Sequence, residues 1–140
     1  MTPLHYDPYI NLFHLQASST PKRFAKHVTL FPPSLSHLLR RESHTTLRNT
    51  SSHKFGLCHT PPSPGAFEVY LESKTNEKLV QELSKHALSC VVREGETLLI
   101  PRRWWHRVEN VDLMPEMEAS KEEKNPGWNV GVSWWFTVRN

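Results

Sequence analysis

Cysteine and glycine are scarce in this chain of 140 residues, which has two of the first and five of the second. Cys58 and Cys90 lie far apart, with neither a CxxC spacing nor the density of a disulfide scaffold, which argues against a thiolate metal cluster and a stapled secreted module. A reduced, intracellular setting, cytoplasmic or nuclear, is expected. No stretch approaches the roughly 18 apolar residues of a membrane helix, and no charged-then-apolar leader precedes the first motif. Charge of one sign never gathers into a block. Lys22, Arg23, Lys26, Arg40, Arg41, Arg102 and Arg103 are scattered, and a net charge of +3 argues only weakly for nucleic acid. A chain of this length holds one core, so a single domain over 1–140 is expected.

What the chain has in quantity is tryptophan (five), proline (eleven) and histidine (nine). Trp-rich strands joined by Pro-rich loops predict a β-dominated fold. Residues 3–15 alternate apolar and polar, with Pro8 dividing them into two extended segments. KHVTLF (26–31) reads as a strand closed by Pro32 and Pro33, and SLSHLLRR (34–41) as one or two helical turns capped by Ser34. The Ser/Thr/His/Pro-rich stretch 42–65 reads as a long mobile loop, within which Asn49-Thr50-Ser51 is a polar turn rather than a glycosylation site. FEVYL (67–71) has strand character, and 75–88 has Leu79, Val80, Leu83 and Leu88 near helical spacing, with Thr75 or Asn76 as cap. SCVVREGETLLIP reads as strand, turn at Gly95, strand, ended by Pro101. A strand over 103–111 puts Trp104, His106 and Val108 on one face, a surface loop covers 112–127, and 128–138 forms a last Trp-rich strand.

The chemistry-bearing residues are few. On a strand, i and i+2 share a face, so His5 and Asp7 can aim an imidazole nitrogen and a carboxylate oxygen at one point. His106 supplies a third ligand. Two histidines and one carboxylate leave the opposite side of an octahedral ion open for substrates and O2, the donor set of non-haem Fe(II) oxygenases. A zinc cupin of isomerase type uses similar ligands. Chance placement competes with both, because nine histidines make an HxD pair common. Trp104, Trp105 and Trp135 read as core or pocket walls, core first, and Lys26 alone reads as an edge-strand charge.

Taken in order, TPLHYDPYIN (2–11), KHVTLFPPS (26–34), EGETLLIPRRWWH (94–106) and NVGVSWWF (129–136) resemble the JmjC-domain, cupin-like Fe(II)/2-oxoglutarate-dependent oxygenases over almost the whole chain. The resemblance implies an all-β fold, a double-stranded β-helix or jelly roll with one or two short helices. It also implies that the N-terminal part of the domain is missing here, leaving an unpaired sheet edge through which the chain would self-associate. His5, Asp7 and His106 match the family's iron ligands, and Lys26 matches the basic residue that pairs with the distal carboxylate of 2-oxoglutarate. Thr2 and Asn11 match positions that hydrogen-bond the co-substrate, and Asn129 is a further pocket candidate. The family's compact glycine turn before the lysine is replaced by ASSTPKRFA, so Lys22 is the alternative to Lys26. The activity implied is hydroxylation or demethylation of a protein side chain, with a modified tRNA base as another family substrate. The competing reading is a module without turnover that binds a protein or tRNA partner.

Overall fold

The computed structural model describes residues 2–39, 49–51, 55–57, 69–71, 77–113 and 127–137. Most of them are extended. In chain order the elements are β1 (His5–Tyr6), β2 (Ile10–Ser18), β3 (Phe24–Phe31), α1 (Ser36–Leu39), β4 (Phe55–Leu57), β5 (Val69–Leu71), α2 (Glu77–His86), β6 (Leu88–Val92), β7 (Thr97–Ile100), β8 (Trp105–Asp112) and β9 (Asn129–Phe136). They form an antiparallel sheet ordered β1-β8-β3-β6, a second ordered β7-β2-β9, and a separate β4-β5 pair. This is the all-β jelly roll that the sequence predicts.

The strands owe their two-sidedness to period-two patterning. Phe13, Leu15 and Ile100 from the smaller sheet meet Val28, Leu30 and Val92 from the larger one, which forms the core between the sheets. Gly131 on β9 is required there, because a Cβ at that position would lie 2.6 Å from the Phe13 ring. The opposite face of the larger sheet carries Phe31 and Trp105, packed with Leu4 under Leu35, Leu39 and Leu83 of the helical segments. Each fully buried leucine or phenylalanine of these clusters contributes roughly 1.5–3 kcal/mol. Trp105 is wholly buried and its Nε1–H donates to Ser36 Oγ.

Four expectations need correction. Ser34 caps nothing: it lies inside a 3-10 turn, Pro33–Leu35, entered from an extended Pro32 without a side-chain cap. The strand expected from residue 103 begins at Trp105, because Arg103 takes a left-handed backbone, φ 65°. The stretch 42–65 is not loop throughout. Ser51 N–H donates to the Leu4 carbonyl, Tyr6 N–H to the Asn49 carbonyl, and residues 55–57 form β4, so part of the stretch docks along the edge of β1. Leu88 leaves the helix for β6 and is exposed.

The helix caps at Thr75 and Asn76, residues 67–68, and most of the 42–65 and 112–127 loops lie outside the described residues. Gly95, at φ 83°, makes the turn before β7, and its N–H donates to the Leu15 carbonyl. The two strands flanking that turn do not pair with each other: β6 joins β3 and β7 joins β2, so the turn carries the chain from one sheet to the other. On the outer face of the smaller sheet, Leu99, Trp134 and Phe136 are exposed. Among the described residues, no helix is long and apolar enough to cross a membrane.

Candidate metal centre

His5 and His106 are directly opposite in the β1–β8 register, so their side chains leave the sheet on one face, with ring centroids 4.3 Å apart. The WWH run on β8 explains why that face is available. Alternation sends Trp105 into the helical cluster and turns His106 the other way, beside Trp104 and Val108, which pack on the inter-sheet core. Asp7 comes just after β1, in a non-strand position. It is held by a tight turn, in which Trp104 N–H donates to the Pro101 carbonyl (3.2 Å) and the left-handed Arg103 donates its own N–H to the Asp7 carbonyl (2.9 Å). The convergence expected from strand alternation is thus achieved by a turn from a distant part of the chain.

One ligand atom from each of His5, Asp7 and His106 lies within 4.8 Å of the others, and His106 Nε2 is 3.6 Å from Asp7 Oδ2. Neighbouring ligands of an ion bound at about 2.1 Å are about 3 Å apart, so closing these separations by up to about 1.8 Å would bring all three onto one ion. The imidazoles are oriented for it. His5 Nδ1 donates to the Pro3 carbonyl (2.8 Å) and His106 Nδ1 to the Trp104 carbonyl (3.0 Å). Carbonyl oxygens only accept, so both protons sit on Nδ1 and both Nε2 lone pairs are free for a metal. The donor set therefore fits a divalent transition-metal ion.

Burial pushes the His106 pKa below the usual histidine value, and the nearby His5 adds to this, while the Trp104 carbonyl and Asp7 oppose it. The imidazole is held neutral, as a ligand must be. The same shift has a consequence for stability. An unfolded chain takes up this proton near pH 6.5 and the folded one only at lower pH, so stability is full above pH 6.5 and declines as pH falls through the folded value. Urea unfolding of the metal-free protein at pH 7.5 and 5.5 should show a loss at the lower pH that is smaller in His106→Gln; an unchanged loss would contradict the assignment.

Lys26 lies on β3 opposite Asn110 and four residues from Leu30, which faces His106. Alternation places Lys26 on the same sheet face as His106, roughly 13 Å along the strand. Its ammonium donates to Asn110 Oδ1, and burial lowers its pKa, the mark of a cation short of anionic company. Lys22 is exposed in the turn before β3. That turn, closed by Arg23 and Phe24 N–H donating to the Thr20 carbonyl, absorbs the unusual ASSTPKRFA segment without moving Lys26 off its face.

Asn11 is buried on β2 between Ile100 and Trp135, and its Oδ1 has no hydrogen-bond partner. Thr2 is otherwise engaged: its N–H donates to the Val108 carbonyl and its Oγ accepts from Val108 N–H, fastening the chain to β8. Asn129 Nδ2 donates to the Ala25 carbonyl, bridging the sheets.

Two site residues escape a reading of the sequence. Asn110, which holds Lys26, becomes visible only through the β3–β8 register. Trp135, expected in the core, is 55% exposed and donates its indole N–H to Asp7 Oδ2 (2.8 Å). No signal in the sequence marks its side, because the inner face of β9 is set by its register with β2.

Fold and site together define a cupin-type protein with a histidine–aspartate–histidine centre. The cupin-like domain family matches residues 1–140, and the chain belongs to it, in its JmjC branch. Among curated proteins the chain is similar to lysine-specific demethylase JMJ30 of Arabidopsis thaliana, with 28% identity over 113 residues, or 81% of this chain. The match spans 21% of that protein's length.

Proposed function

We propose that the chain carries the centre of an Fe(II)- and 2-oxoglutarate-dependent oxygenase that hydroxylates or demethylates a protein side chain. The observation that carries this reading is the pair of imidazoles pinned through Nδ1, with a ligand atom from each within 4.8 Å of Asp7, on the same sheet face as a partly buried lysine. Fe(II), 2-oxoglutarate and O2 would together supply the oxidising chemistry, yielding succinate and CO2 while one oxygen atom enters a substrate C–H bond. The chain's own part is placement. His5, Asp7 and His106 hold the ion; Lys26, steadied by Asn110, neutralises the distal carboxylate; Asn11 lines the wall between them. Leu30, with Val108 and Trp104 packed against its cluster, lines the sheet face beside the centre with apolar side chains.

Similarity to a lysine-specific demethylase makes methylated lysine peptides the first substrates to try, with unmodified protein side chains next. An intracellular setting suits both a ferrous ion and the free thiol of Cys90. Purified chain with Fe(II), 2-oxoglutarate and a peptide panel should release succinate in step with a product mass change of +16 (hydroxylation) or −14 (demethylation), both simple consequences of the reaction class. Succinate release no higher than that of a His106→Ala control would refute the reading.

A further inference from the structure

Trp135 is joined to the candidate metal centre through Asp7. The residue lies on β9 in register with Asn11, on the inner face of the smaller sheet, and its indole N–H reaches across to Asp7 Oδ2, which belongs to the other sheet's side of the cavity. That oxygen is also the one 3.6 Å from His106 Nε2. Asp7 follows the end of its strand, and its backbone is fixed by the Arg103 N–H donating to its carbonyl. The Trp135 ring is more than half exposed, so its position owes little to burial.

We infer that Trp135 is a positioning residue for the metal: its indole N–H occupies one lone pair of Asp7 Oδ2 and so fixes which side of the carboxylate faces the ion. A carboxylate offers about four lone-pair directions, and a donor held on one of them limits which of the others can face an ion. A donor from the opposite sheet sets that limit before the ion arrives, as partners of ligating groups do in metal sites generally. It also ties the smaller sheet to the centre, whose three ligands all come from β1, the segment after it, and β8. The inference rests on the metal reading of His5, Asp7 and His106.

Co(II), which stands in for Fe(II) without oxidising in air, gives a visible absorption that reports both affinity and ligand geometry. Trp135→Phe keeps the aromatic bulk and loses the donor. It should bind Co(II) about tenfold more weakly and with an altered visible band. Trp135→His, which retains a ring N–H, should recover part of the affinity. Trp134→Phe, one residue away on the opposite face, should match the unsubstituted protein. Asp7→Ala serves as the reference for the metal reading. If Asp7→Ala loses Co(II) while Trp135→Phe matches the unsubstituted protein in affinity and band, the positioning role is overturned and the metal site stands. If Asp7→Ala binds as tightly as the unsubstituted protein, the metal reading falls and the inference with it.

Discussion

Asp7→Ala should lose Fe(II) affinity by more than about a hundredfold, because removing a mere partner of a ligand already costs on the order of 10- to 100-fold and here the ligand itself goes. The fold should survive. The Arg103 N–H bond is made to the Asp7 backbone carbonyl, which alanine keeps, and the Nδ1 bonds of His5 and His106 run to other carbonyls. What is lost besides the ligand is one accessible hydrogen bond from Trp135, about 1 kcal/mol of stability. Equilibrium binding under anaerobic conditions, with thermal unfolding followed by circular dichroism, separates the two effects. Unchanged affinity in a folded variant would remove Asp7 from the centre; an unfolded variant would show that the carboxylate serves the fold.

The part of this centre visible in the sequence is the part set by local periodicity. His106 could be placed because β8 alternates, and WWH then divides between the helical cluster and the inter-sheet face. The strand KHVTLF was legible through its closing prolines, although its burial on both faces leaves no alternation to read. Residues that depend on non-local register were not. Asn110 meets Lys26 across 84 positions, and Trp135 meets Asp7 across 128; neither pairing leaves a local pattern. Tryptophan also misleads by type, since its large apolar surface suggests burial while its N–H is what Asp7 uses.

The strand–glycine–strand grammar around Gly95 was equally ambiguous. A turn residue shows that the chain reverses, but not whether the next strand pairs with the last or crosses to another sheet. Asn49–Ser51 is the converse case: a polar composition suggested a free turn, yet backbone bonds to Leu4 and Tyr6 fasten it beside β1, where it steadies the segment bearing His5. Main-chain pairing of this kind is indifferent to side-chain polarity and so leaves no mark in composition.

Lys26→Ala should raise the 2-oxoglutarate concentration needed for half-maximal turnover by about 30- to 150-fold, the equivalent of roughly 2–3 kcal/mol for a charge-assisted hydrogen bond withdrawn from water. The structure explains why the effect should be large for a side chain that is only partly enclosed. Burial already disfavours the ammonium, and its partner among the described residues, Asn110 Oδ1, is a neutral acceptor that leaves the charge uncompensated. An incoming carboxylate would cancel that penalty as well as form its own bond, so co-substrate binding and the protonated state of Lys26 reinforce one another. Lys26→Arg should recover part of the affinity, because the guanidinium keeps the charge but must fit its planar fork where a compact ammonium sat. Metal affinity should be unchanged in both variants, since Lys26 lies about 13 Å of strand from the ligands. Half-saturating 2-oxoglutarate measured by succinate release, beside metal titration of the same preparations, checks all three statements. A Lys22→Ala variant with the larger effect would move the carboxylate contact to the exposed turn before β3 and overturn the role given to Lys26.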